Sequence, residues 1–116
     1  MERTSKTWGE KYNIFQNDLC EVSVLYLQPY QRCSWHEHKT KFNLFYVIEG
    51  EIYIKLDNGV NKSESHLKPR EFFTTRPGEK HEFRIREKPA VVLEIMYVQY
   101  DPMDIQRELI GGPLNE

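Results

Sequence analysis

The chain has 116 residues, enough for one hydrophobic core with little room for a second, so a single domain over 1–116 is expected. A hydrophobic share of 39 % with 13 % aromatics excludes a disordered chain, and a formal charge of −2 with mixed signs along the sequence offers nucleic acid no basic field. No run approaches the roughly 20 apolar residues of a membrane helix, and the start, Met1 to Trp8, lacks the apolar stretch of a secretion signal, which makes a cytoplasmic location the expectation.

Residues 1–10 read as an N-terminal arm with Trp8 as its packing anchor. From there, short segments rich in β-branched and aromatic residues recur about every ten residues between Gly, Pro and Asn, the pattern of an antiparallel β protein. The first spans 20–28, carries Val22, Val24, Leu25 and Leu27, and stops at Pro29. The next spans 33–38. Residues 42–49 place Phe42, Leu44, Tyr46 and Ile48 on one face and Phe45 and Val47 on the other, so both faces should be covered. Gly50 permits a tight connection into 51–56, and Asp57-Asn58-Gly59 is a strong hairpin turn into a polar edge strand over 60–67. Short strands follow over 71–75 and 81–86, the latter placing His81, Phe83 and Ile85 on one face. A last, apolar strand covers 91–98. Asp101-Pro102 then predicts a short capped helix over 101–109, ended by Gly111-Gly112-Pro113.

Three of the four histidines carry the chemistry. On an extended strand, residues two apart share a face about 7 Å apart along the chain, so His36 and His38 can reach one ion. His81 lies on an inward face and supplies a third imidazole. Neutral imidazole suits several divalent transition metals (zinc, iron, manganese or nickel), and the pattern does not choose among them. His66 sits in a polar run and reads as solvated, as do Glu37, Arg84 and Arg86. Cys20 and Cys33 are too few and too far apart for a thiolate zinc site, and strand alternation puts Cys33 on the face opposite the histidine pair.

The spacing His36-x-His38, four residues, Asn43, six residues, Gly50 resembles the first motif of the cupins, with asparagine where that family has glutamate. Pro77-Gly78-Glu79-Lys80-His81 is similar to the second. The resemblance implies an all-β fold: a cupin jelly-roll barrel, or double-stranded β-helix, with the short C-terminal helix appended. It also implies a metal held by His36, His38 and His81 with Asn43 at the fourth position. Asn43 is expected either as a weak oxygen ligand or as a residue of the strand ladder. A narrower likeness, to the small C-terminal cupin domain of type II mannose-6-phosphate isomerases, rests on Trp8-Gly9, Leu93-Glu94-Ile95, Val98-Gln99 and Asp104-Ile105-Gln106-Arg107.

That likeness implies a metal-binding small-molecule protein of the sugar-phosphate isomerase type. Two alternatives stand beside it: a three-histidine non-haem iron dioxygenase and a non-catalytic sugar- or metabolite-binding cupin. Tyr46, Tyr53 and Phe83 are the candidate lining of a pocket for a small, anionic or sugar-like ligand. The apolar load on 42–49 and 91–98 exceeds what the inside of one small barrel needs, so a homodimer is expected.

Overall fold

Strand alternation sorts this sequence into two layers. The computed structural model describes residues 2–99, 102–108 and 111–114. Over these the chain forms β1 (Glu2–Lys6), β2 (Gly9–Gln16), β3 (Cys20–Leu27), β4 (Phe42–Glu49), β5 (Ile52–Asp57), β6 (Lys62–Leu67), β7 (Phe72–Thr75), β8 (Lys80–Arg84) and β9 (Ala90–Tyr97). They pair into a six-stranded sheet, β1-β2-β3-β9-β4-β7, and a three-stranded sheet, β6-β5-β8. Leu25, Val92 and Val47 stand side by side on the inner face of the large sheet. They pack in one core with Ile52, Ile54, Phe83 and Ile85 from the small sheet and its continuation.

The inner face is apolar along one half only. Two neighbouring rows of the large sheet are largely polar: Asn13, Ser23 and Glu94 lead to Phe45, and Glu21 leads through Met96 to Asn43 and Thr75. This end of the interior houses the histidines. The outer face of the same sheet is apolar, with Tyr12, Val24, Leu93, Tyr46 and Phe72 in one register across five strands.

Two expectations need correction. Among the described residues no strand pairing joins the two sheets, so no barrel closes. Closure requires edge strands to pair across the gap; here the ends of the large sheet are β1, with all five residues exposed, and the four-residue β7, while β6 and β8 end the small sheet. The sheets pack face to face instead. The helix expected over 101–109 is also absent among the described residues, which form a turn and irregular chain over 102–108; positions 101 and 109 lie outside them. Met103 and Ile105 are exposed, so neither buries its side chain there, and a helix so short does not persist without burial of an apolar face.

Residues 2–16, read as an arm as far as residue 10, form the hairpin β1–β2 on the edge of β3. The segment expected as a strand over 33–38 is irregular, touching β8 through isolated bridges Arg32–Arg84 and His36–His81. No described helix is long and apolar enough to cross a membrane.

Gly50 turns the chain from β4 into β5 at φ +76°, and a Cβ there would lie 2.4 Å from the Pro89 carbonyl oxygen and 2.9 Å from the Ala90 Cα. Both are backbone atoms, so neither can swing aside. Gly50→Ala should therefore cost about 2 kcal/mol or more, read as a melting temperature lowered by roughly 8 °C. An unchanged melting temperature would show that this corner relaxes freely.

Candidate metal centre

Backbone hydrogen bonds set the three histidines. His81 sits on β8, and its backbone exchanges two hydrogen bonds with His36, His36 N donating to His81 O at 3.2 Å and His81 N to His36 O at 2.8 Å. His38 is tied by its own carbonyl, which accepts from Gly78 N at 2.8 Å. The turn before β8 and the irregular segment before β4 thus hold each other. The ring centroids stand 4.5 Å apart for His36 and His81, 5.0 Å for His36 and His38, and 5.5 Å for His38 and His81. One ligand atom from each of the three lies within 4.8 Å of the others, a cluster able to coordinate a divalent transition metal ion.

The hydrogen bonds also select the tautomer. His36 Nδ1 is 2.7 Å from Ser34 O and His81 Nδ1 is 3.0 Å from Glu79 O. A carbonyl oxygen only accepts, so both rings carry the proton on Nδ1 and leave the Nε2 lone pair free, the arrangement a metal needs. His81 Nε2 and His38 Nε2 are buried without a hydrogen-bond partner. A buried imidazole nitrogen without a partner is costly, and a metal removes that cost. Burial pushes the His81 pKa down to about 4, against the pull of the Glu79 carbonyl, and burial with His36 and Lys41 nearby lowers that of His38. Both rings are neutral ligands near pH 7.

Asn43 is fully buried. Its Nδ2 donates to Glu94 Oε2 at 3.1 Å, which turns Oδ1 the other way, and Oδ1 too is buried without a partner. The two remaining buried polar side-chain atoms without partners, on Ser23 and Thr75, lie in the same two polar rows. The unsatisfied polar groups of the described interior thus gather at one end of it.

A cavity of about 190 Å³ opens there, and His36, His38, Asn43, Phe45, Phe83 and Glu94 are among its lining residues. Of the three aromatics expected around a ligand, Phe83 lines it. Tyr46 stands on the outer face of the large sheet, and Tyr53 on the outer face of the small one, under the Arg86 guanidinium at 4.1 Å and stacked on His66 at 4.3 Å. Cys33 also lines the cavity, because its segment is not a regular strand and alternation does not apply. Its Sγ accepts from Phe83 N at 3.2 Å, and burial pushes the thiol pKa up to about 12, so it stays protonated. Glu94 is the residue the sequence reading missed as a site group. Its position carried a signal: a carboxylate at the inward parity of Ala90 and Val92, on the most apolar strand. Burial raises its pKa, while Lys11 and the Asn43 amide oppose the rise.

The cupin domain model matches residues 23–96, well over half of the chain, which therefore belongs to that family. No curated protein matches its sequence. Among solved structures, KdgF from Halomonas sp. is similar with a TM-score of 0.73 at 13 % identity, covering 89 % of this chain and 93 % of that one. The protein TT1209 from Thermus thermophilus gives 0.68 at 24 % identity over 76 % of this chain and 81 % of that one. The capsular polysaccharide assembling protein CapF from Staphylococcus aureus gives 0.74 at 19 % identity over 89 % of this chain and 32 % of its own. At these identities the likeness is one of fold. The comparisons reach the cupin superfamily and stop short of the mannose-6-phosphate isomerase subfamily.

The lowered imidazole pKa values fix the pH response of the metal-free protein. The unfolded chain protonates its histidines near pH 6.5, whereas folded His81 resists until about pH 4. Histidine protonation therefore removes stability as pH falls from about 6.5 towards about 4. Thermal melts of metal-free protein should show the melting temperature dropping across that window, with a shallower slope in His81→Gln. Equal slopes for the two proteins would contradict the assignment.

Proposed function

We propose that this cupin is a three-histidine metal protein of the non-haem oxygenase class that takes a small anionic substrate beside His36, His38 and His81. The observation that carries the reading is the cluster of three imidazoles, two of them with buried, unpartnered Nε2 atoms, beside an open cavity that His36 and His38 line. A bound divalent ion would supply Lewis acidity toward an oxygen donor and, as iron, dioxygen chemistry. Three neutral histidines leave the charge of a dication uncompensated, which favours an anionic oxygen donor as its partner. The partly exposed His36 leaves that face accessible, while Phe45 and Phe83 wall it.

Sugar-phosphate isomerisation is a second reading. Asn43 cannot take the proton that such a reaction moves between carbons, but Glu94 lines the same cavity and is a carboxylate able to accept one. The end motifs around Trp8-Gly9 and Asp104 to Arg107 favour this reading as well.

Protein purified without chelator should contain close to one divalent transition metal per chain, and His81→Ala should lose most of it. Iron-loaded protein should consume oxygen with an enolisable diketone or a thiol among a panel of small acids. Conversion of mannose 6-phosphate to fructose 6-phosphate without oxygen uptake would replace the oxygenase reading by the isomerase. Absence of metal from the native protein would remove both.

A homodimer is part of the same proposal, supported by the apolar row on the outer face of the large sheet. Sedimentation at micromolar concentration should give twice the 14.0 kDa chain mass, and Leu93→Arg, in the middle of that row, should give the single chain. A wild-type protein sedimenting at 14.0 kDa would rule the dimer out.

A further inference from the structure

The hairpin β1–β2 lies outside the matched span 23–96, yet it forms one wall of the metal cavity: Lys6, Trp8 and Lys11 line it together with His36, His38 and Glu94. Its corner is built rather than draped. The Trp8 carbonyl accepts from Gln28 N at 2.8 Å, and the Trp8 indole meets the Phe83 ring edge-on at 5.3 Å. Gly9, at φ +145°, approaches β3 so closely that a Cβ would lie 1.9 Å from the Tyr26 carbonyl oxygen. Backbone pairing of Gly9 with Leu27 and of Lys11 with Leu25 sets both positions on the inner face.

The two lysines on this wall differ in their partners. Lys11 Nζ is 3.0 Å from Glu21 Oε1, which also accepts from Asn13 Nδ2 at 2.9 Å, so Lys11 is held in place by a partner on β3. Lys6 has no such carboxylate among the ion pairs of the described residues and stands exposed at the cavity mouth. With Lys11 paired to Glu21, Lys6 and the Glu94 carboxyl are the remaining acid–base groups of the lining besides its histidines and Cys33. A dication on the histidines makes the cavity positive.

We infer that the β1–β2 hairpin is the specificity element of this site, with Lys6, backed by Lys11, recognising a terminal oxyanion on a small molecule whose other end faces the histidines. The inference rests on the metal reading above and adds to it the class of ligand: two-ended, with an oxygen donor for the metal and a carboxylate- or phosphate-type terminus for the lysines. A cavity of about 190 Å³ suits a molecule of metabolite size. The exposed Lys6 and the open mouth admit it from solvent, and the apolar edges of Trp8, Phe45 and Phe83 border its middle.

Two hydroxamates separate the ends. Acetohydroxamate offers a metal-binding head and a methyl tail; phosphonoacetohydroxamate offers the same head with an anionic tail. Cobalt-loaded protein, titrated by calorimetry and followed by its visible spectrum, should bind the phosphonate probe more tightly than acetohydroxamate. Lys6→Ala should weaken the phosphonate probe about tenfold, the loss of one charge-assisted hydrogen bond, and leave acetohydroxamate and cobalt affinity unchanged. Lys6→Arg should restore binding. Equal affinity of the two probes for wild-type protein, or an equal loss for both in Lys6→Ala, would overturn the inference while the metal reading stands. Failure of the wild-type protein to hold cobalt at all would instead overturn the metal reading and this inference with it.

Discussion

The mutual pair of backbone hydrogen bonds between His36 and His81 is the joint on which the site depends. It is an isolated bridge, made where the chain between β3 and β4 runs beside β8 without becoming a strand. A regular strand there would alternate its side chains and turn Cys33 away from the cavity. The irregular path lets Cys33, His36 and His38 all contribute to one wall, and the bridge stops that path from wandering. The Nδ1 bonds to Ser34 O and Glu79 O then reach from the same two segments to fix the rings. Ligand geometry here is a property of backbone pairing, carried outward by one further hydrogen bond at each of these two rings.

Asparagine at the motif position changes the electrostatics of this joint more than its shape. The Asn43 amide bonds Glu94 with one end and turns the other, unpartnered, the opposite way. A carboxylate at that position would face Glu94 across the same short distance, and two buried carboxylates in contact would force one of them to stay protonated. The carboxamide avoids the conflict: it donates where a glutamate would repel. The carboxyl group of the cavity thus stands at position 94, on the neighbouring strand β9, rather than at position 43.

Much of this was legible in the sequence. Strands β3, β4, β5, β8 and β9 carry apolar alternation strong enough to be placed within a residue or two, and inward parity put His81 beside Phe83. The hairpin β1–β2 was not legible, because β1 has no apolar residue at all and β2 exposes Ile14 and Phe15 while turning Lys11 inward. Its cause is tertiary: it completes an edge and closes a cavity. Cys33 reaches the cavity because its segment does not alternate, and nothing in the residue types of 33–38 marks that irregular path. Tyr46 and Tyr53 stand away from the cavity because each is out of step with the inward residues of its strand, Phe45 and Val47 in one case and Ile52 and Ile54 in the other. The open sandwich, in place of a closed barrel, turns on hydrogen bonds between edges, which leave little trace in side-chain pattern.

The edges themselves have a consequence for solubility. An unpaired strand edge is a template for another chain, and a flat apolar one invites stacking into fibrils. The large sheet ends on one side in Glu2 to Lys6, polar throughout and exposed throughout, and on the other in only four residues of β7. The small sheet ends in β6, whose exposed positions are Lys62, Ser63, Glu64 and His66. These three rims repel or shorten any intruding strand, and the fourth, β8, is covered in part by the bridges from Arg32 and His36, so the chain can carry a broad apolar sheet face with its borders guarded against amyloid-like growth.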